Sequence, residues 1–257
     1  MTVFGAEAIV LKQFDLGEAD KIITFYSKER GKIRAVARRV RKTNSRLSGL
    51  VQPFNYLFVK IYRGSSLDKI NQVTGKYSFS SLRDDLSRMA YATYMAELVE
   101  KVGMEDDANP PLFSLLLSTF HKLTELEEKK YPYLNLTFRL RILALTGFKP
   151  ELKHCVSCGQ ELSVMTRNMF DIAGGGILCS SCFSGDRKDY HFQVSGEALQ
   201  VIREIYEAGI KLPENLYLSR KALKQLEILL DKFIKYHLDI YLKSGEFLNM
   251  IRDFGNT

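Results

Sequence analysis

The sequence predicts an α+β multidomain chain: a small N-terminal β-barrel, then an all-α helical domain that carries a four-cysteine knuckle. Three observations carry this reading. Residues 3–73 are short β-branched and aromatic runs broken by turn residues, the hydrophobic period becomes helical after Ser80, and Cys155, Cys158, Cys179 and Cys182 form C-x2-C-x20-C-x2-C. With 257 residues and 46% hydrophobic composition the chain has material for a sizeable core, which excludes disordered and collagen-like classes.

The barrel strands are read in order. Ala6 to Leu11 is the first and Lys21 to Tyr26 the second. Glu29-Arg30-Gly31-Lys32 then turns, with Gly31 supplying positive φ. Ile33 to Val40 follows, with Ile33, Ala35 and Ala37 on one parity and Arg34 and Arg38 on the other, so one face is core and the other basic. Phe54 to Tyr62 and Leu67 to Thr74 are joined across Arg63-Gly64-Ser65-Ser66, making five strands.

Helical spacing then places Tyr91, Met95, Leu98 and Val102 on one face of a helix opened by a Ser81/Asp84 capping box. Asn109, Pro110 and Pro111 introduce a second helix, and Pro132 starts a third that ends at Gly147. Helices resume from Ser195 to Gly209 and from Ser219 to Lys243. The expected domains are residues 1–80, 81–150, 151–194 around the cysteines, and 195–257.

Each C-x-x-C can place two thiolates on one metal from a tight turn, and Gly159 and Gly174 to Gly176 let the chain turn and return. The spacing is that of a zinc ribbon. Four sulfurs fill a tetrahedron and leave no open position for water, so the expectation is one structural Zn2+ per chain with no catalytic role. A metal-free thiol set or a redox pair are the alternatives, and His154 is read as a neighbour of the ligands.

Charge is uneven. Residues 1–80 hold 15 Lys and Arg against 6 Asp and Glu, whereas the rest holds 22 against 24. Lys28, Arg30, Lys32, Arg34, Arg38, Arg39, Arg41, Lys42 and Arg46 fall within nineteen residues, opposed there only by Glu29. Such a block attracts phosphates, with a solvated surface as the plainer alternative. Lys32, Arg34, Arg38, Arg39, Arg41, Lys42 and Arg46 are the candidate DNA-binding residues. Tyr26, Phe54, Tyr56, Phe58 and Tyr62 are possible base-stacking aromatics, although strand aromatics also fill cores.

No apolar run reaches a membrane span and no secretory leader is recognisable, so a cytoplasmic protein is expected. A zinc deaminase would need H-x-E, which no histidine here satisfies, and phosphate-loop, dinucleotide and nucleophile-elbow motifs are missing. Asp84, Asp85, Asp106 and Asp107 hint at a two-metal nuclease, yet capping and loop solvation account for them. No enzyme is expected.

The segments AIVLKQFDLGEADKIITFYSKERGKIRAVARRVRK, SRLSGLVQPFNYLFVKIYRG, AELVEK and LTGFKPELKHCVSCG, in this order, resemble the bacterial recombination-mediator family RecO. The resemblance implies an OB-fold for the N-terminal barrel and a DNA repair and homologous recombination role. It implies binding of single- and double-stranded DNA, annealing of complementary strands and, with RecR, help for RecA in loading onto DNA coated by single-strand-binding protein. It also implies nucleoid association during repair. Arg139 and Arg141 beside Phe138 and Leu140 are one candidate seat for that protein's acidic tail. A zinc-ribbon nucleic-acid adaptor that binds without annealing is the second reading, and a nuclease the third.

Overall fold

A computed structural model describes residues 2–162, 168–183, 190–208 and 218–254. Alternating apolar residues close five strands into a barrel: β1 (Val3–Leu16), β2 (Asp20–Ser27), β3 (Gly31–Ala37), β4 (Tyr56–Tyr62) and β5 (Asp68–Tyr77), in the order β1-β2-β3-β5-β4. Neighbours are antiparallel except β3 and β5, which run parallel, and the short helix α1 (Arg46–Leu50) lies between β3 and β4 in sequence. This is an OB-like barrel. Ala6, Ala8 and Val10 of β1 meet Ile23 and Phe25, Ile33, Ala35 and Ala37, and Leu57, Val59 and Ile61 in its interior. Truncating the fully buried Phe25 to Ala costs about 3–5 kcal/mol, because core neighbours held by the closed barrel ladder collapse only partly into the space.

β1 and β5 extend beyond the expected segments. Hydrophobic alternation marks only the buried middle of a strand, whereas backbone pairing carries the ladder into exposed ends such as Phe14 to Leu16. Val36 is buried on the outward parity of β3, opposite Ile22, so that face is not wholly basic.

Residues after the barrel form α2 (Leu86–Val102) and α3 (Pro110–Glu125). The expected Ser81/Asp84 cap is corrected: Ser80–Leu82 is a separate 3-10 turn, and Asp85, in extended backbone, accepts the Arg88 N–H at 2.7 Å. Asn109 caps α3 through the Leu112 N–H, and prolines occupy its first turn. Ala90, Ala92 and Ala96 are buried along with Tyr91, Met95 and Leu98, since α2 is covered on several sides.

α4 (Tyr131–Leu145), α5 (Gly196–Glu207) and α6 (Arg220–Leu238) follow, the last two capped by Ser195 and Ser219. The helix expected to reach Lys243 stops at Leu238, where Asp239 is left-handed (φ 50°), and α7 (Lys243–Phe254) begins separately. Glu97 accepts the Lys243 and Ser244 N–H groups at 3.2 and 2.8 Å and so caps α7 from α2. The expected end of the preceding helix at Gly209 lies outside the described residues. The cysteine region adds an unexpected three-stranded sheet of β6 (Asn168–Asp171), β7 (Gly176–Leu178) and β8 (His191–Val194), in the order β7-β6-β8. Its strands are too short for hydrophobic periodicity to reveal.

The chain divides into two compact units. One comprises residues 1–131 with 242–257, and the other residues 132–241. Among the described residues no helix is long and apolar enough to cross a membrane.

A candidate nucleic-acid interface and metal centre

The basic block begins on β3 and continues through the loop that leads to α1. Arg38, Arg39, Lys42 and Arg46 are exposed and make no ion pair among the described residues. The loop is nevertheless held. Arg39 is left-handed (φ 52°), its N–H donates to Asp20 Oδ1 at 2.7 Å, and the Arg41 N–H donates to the Ala19 carbonyl at 3.0 Å. The Arg41 side chain, although exposed, is tied to the fold: Nη1 donates to the Gly17 carbonyl at 2.9 Å and Nη2 lies 3.4 Å from Asp15. Arg41 therefore anchors the loop to the β1–β2 turn, leaving its four neighbours displayed.

Lys32 and Arg34 have different surroundings from the rest of the block. Lys32 Nζ donates to the Glu100 carbonyl at 3.0 Å, and burial lowers its pKa from the usual lysine value. Arg34 Nε lies 3.5 Å from Glu105, and Nη2 lies 4.0 Å from Glu100, whose carboxylate takes Lys12 at 2.9 Å. Sequence reading missed Arg63 in this cluster. It forks onto Asp106, which also lies 3.5 Å from Arg30, and both guanidinium groups lie over the Phe4 ring. Asp106 is thus more than a solvated loop residue, while Asp85 is the cap that its position suggested. No local signal pairs residues 43 positions apart, as Arg63 and Asp106 are, or 68, as Lys32 and Glu100 are.

The aromatic candidates separate by burial. Tyr26 and Phe54 are core residues and are excluded from stacking on bases, with Phe54 edge-on to Phe120 at 5.4 Å. Burial, aided by Asp107, pushes the Tyr26 hydroxyl up to about 12. Tyr56 is half-buried and donates to Glu7 at 2.9 Å, and Phe58 is half-buried against Gly5. Tyr62 alone of the five is exposed.

In the second unit, the Sγ atoms of Cys155, Cys158, Cys179 and Cys182 all lie within 4.8 Å of one another. Gly159, at φ 75°, closes the first turn by donating to the Cys155 carbonyl, and the N–H groups of Cys182 and Phe183 close the second on the Cys179 carbonyl. The two turns are tied by the Val156 N–H to the Ile177 carbonyl at 3.0 Å. A side chain at Gly176 would meet the Glu151 carbonyl and Val156, so the return strand needs glycine there. Cys158 and Cys179 are 3.8 Å apart. Metal–sulfur bonds of about 2.3 Å place neighbouring sulfurs of a tetrahedron about 3.8 Å apart. Burial raises the Cys155 thiol, but N–H groups of Cys179, Cys158 and Ser157 bring it down to about 6. At Cys182 the Ser157 hydroxyl lowers the thiol, while the Cys179 and Cys158 sulfurs push it up to about 12. Sulfurs this crowded ionise together only around a cation. The cluster is competent to bind a metal ion. His154 is exposed beside Glu151, with Nδ1 at 3.6 Å, and lies outside the cluster.

Arg139, Arg141, Phe138 and Leu140 do not form a surface seat. Phe138, Arg139 and Leu140 are buried, Arg139 bonds Asp231 at 2.5 Å, and Arg141 donates to the Ile205 carbonyl. α4 is covered around most of its circumference, which local composition does not reveal.

The family models described as Recombination protein O N terminal and Recombination protein O C terminal match residues 1–79 and 83–246. Curated relatives described as DNA repair protein RecO are similar along nearly the entire chain. That of Desulforamulus reducens is 35% identical over 251 residues, covering 98% of this chain and 96% of its own. That of Alkaliphilus metalliredigens is 36% identical over 235 residues, covering 91% and 93%. The Bacillus subtilis relative is 31% identical over 245 residues, covering 95% and 93%. With its OB-like barrel, helical region and metal-competent cysteines, the chain belongs to the RecO family of DNA repair proteins.

Proposed function

We propose that the protein is a recombination mediator: it binds single- and double-stranded DNA, anneals complementary strands and, with RecR, helps RecA load onto DNA coated by single-strand-binding protein. The observation that carries this reading is the displayed set of Arg38, Arg39 and Lys42 on a loop fixed to the barrel, continued by Arg46 at the start of α1. Arginines of this kind meet phosphates whatever the base sequence, which suits action at any damaged locus. Annealing needs no bond chemistry. Neutralising phosphate repulsion and holding two strands together lets base pairing supply the free energy, so the protein acts as a non-enzyme in the cytoplasm and at the nucleoid. Arg41 ties the loop to the β1–β2 turn; Lys32 and Arg34 are engaged by the chain's own acidic residues.

In this reading the barrel meets DNA and the helical remainder, close to neutral in net charge, meets protein partners. Support for an acidic protein tail comes from an open cavity of about 540 Å³ lined by Ile172, Tyr190, Tyr236, Lys232, Lys235 and Asp239. The four cysteines hold one structural Zn2+: their sulfur donor set and spacing suit it, and the bound ion would hold the two turns together.

The test is annealing of complementary strands precoated with single-strand-binding protein, with and without RecR. Annealing without strand cleavage supports the mediator. Binding without annealing would replace it by the adaptor reading, and metal-dependent cleavage by a nuclease.

A further inference from the structure

A cleft of about 340 Å³ opens on the barrel between Lys32 and Arg34 of β3, Arg63, Ser66 and Asp68 around the β4–β5 turn, and Glu105 and Asp106, with Asp68 3.8 Å from Arg63 and only 16% exposed. OB-folds take oligonucleotides across the second and third strands and beside the loop joining the fourth and fifth, which is where these cations stand. The two exposed carboxylates, Glu105 and Asp106, come from the segment after α2. Its backbone is fixed: the Lys32 N–H donates to the Met104 carbonyl at 2.9 Å, Glu105 bridges to Gly31 and Lys32, and a side chain at Gly31 (φ 62°) would collide with the carbonyls of Met104 and Asp107. The carboxylate groups themselves stay wet. Glu105 and Asp106 are 60% and 48% exposed, whereas Glu100, which takes Lys12, is 8% exposed.

We propose that this cleft is a second phosphodiester-binding site, which the chain keeps closed by placing Glu105 and Asp106 where phosphates of a nucleic-acid strand bind. Asp106 is held in a bidentate fork shared with Arg30, stronger than an isolated exposed pair, so a strand reaches the arginines only where the carboxylates are neutralised or rotate away while the backbone stays docked. The cleft then adds Arg34 and Arg63 to the displayed set at Arg38 to Arg46. Its closed form sets a lower affinity for DNA, which favours release of annealed product.

This inference rests on the DNA-binding reading above, and one titration separates the two. Binding of the full chain to a fluorescent oligo-dT is followed against salt for wild type and for Glu105→Gln/Asp106→Asn. The double variant is expected to bind about threefold or more tightly near about 50 mM salt, with a log–log slope steeper by roughly 1.4 as two further phosphates are neutralised. Adding Arg34→Ala and Arg63→Ala should return both values to those of the wild type. Glu127→Gln/Glu128→Gln removes the same charge outside the cleft and controls for net charge. Should the double variant fail to fold, Glu105→Gln alone gives the same readout at about half the slope change. An unchanged slope in the double variant, or a gain matched by the control, overturns the closed cleft. If Arg38→Ala/Arg39→Ala still weakens binding in that event, the DNA reading stands without it, and if no protein binds, both fall.

Discussion

The backbone N–H of Arg39 donates to Oδ1 of Asp20 at 2.7 Å, so an acidic residue of β2 holds the most basic loop of the chain in a left-handed turn. Removing that carboxylate adds a positive charge to the surface and also frees the loop. Preorganisation dominates in this balance, because an ordered cluster of arginines loses less entropy on meeting phosphate. Asp20→Ala should weaken DNA binding about two- to fivefold despite the favourable charge change, while Asp20→Asn, which keeps an acceptor, should bind close to wild type. Fluorescence anisotropy at fixed salt distinguishes this from tighter binding by Asp20→Ala, which would show that net charge governs instead.

The basic residues divide into displayed and engaged sets, and salt dependence should divide them in the same way. Replacing Arg38 and Arg39 together by Ala should flatten the slope of log affinity against log salt on single strands by about 1.4, two phosphates at roughly 0.7 each. Arg34→Ala alone should change it little, since Glu105 and Glu100 already occupy that guanidinium. Equal flattening by all three substitutions would place Arg34 in direct contact with DNA.

Elemental analysis of purified protein should return close to one zinc per chain. Cys158→Ser should lower zinc affinity by about tenfold or more and loosen the cysteine region, because three sulfurs no longer complete the tetrahedron and both turns lose their common tie. Chelation of the wild type should reproduce the loss of order, as judged by proteolysis around residues 151–194. Full metal retention in the variant would remove Cys158 from the ligand set.

Acid should weaken the barrel in part through Glu7. Hydrogen bonds from Lys76, opposed by burial and aided by Tyr56, hold its carboxyl below the usual value of 4.5. A depressed folded-state pKa contributes stability that is present above the unfolded value and is lost as pH falls through the folded one. Glu7→Gln should therefore lower Tm by roughly 1–3 °C at pH 7, with the gap closing as pH falls below about 4.5. A gap that persists undiminished under acid would show that packing of Glu7, and not its charge, is what the variant removes.

Much of this protein follows from its sequence alone. Alternating Ile33, Ala35 and Ala37 determine the inner face of β3, and the spacing of Cys155, Cys158, Cys179 and Cys182 determines that four sulfurs meet. Asn109, Ser195 and Ser219 determine three helix starts. These features depend on neighbours a few residues apart, where backbone geometry dictates what can face what. The tertiary structure alone decided that Tyr26 and Phe54 are core, that α4 is covered, and that Arg34 faces Glu105 while Arg38 faces solvent. Those two arginines stand four positions apart, and in sequence they are equivalent. They differ because α2 carries Glu100 and the following acidic segment back across the barrel, and electrostatic pairing depends on distance in space.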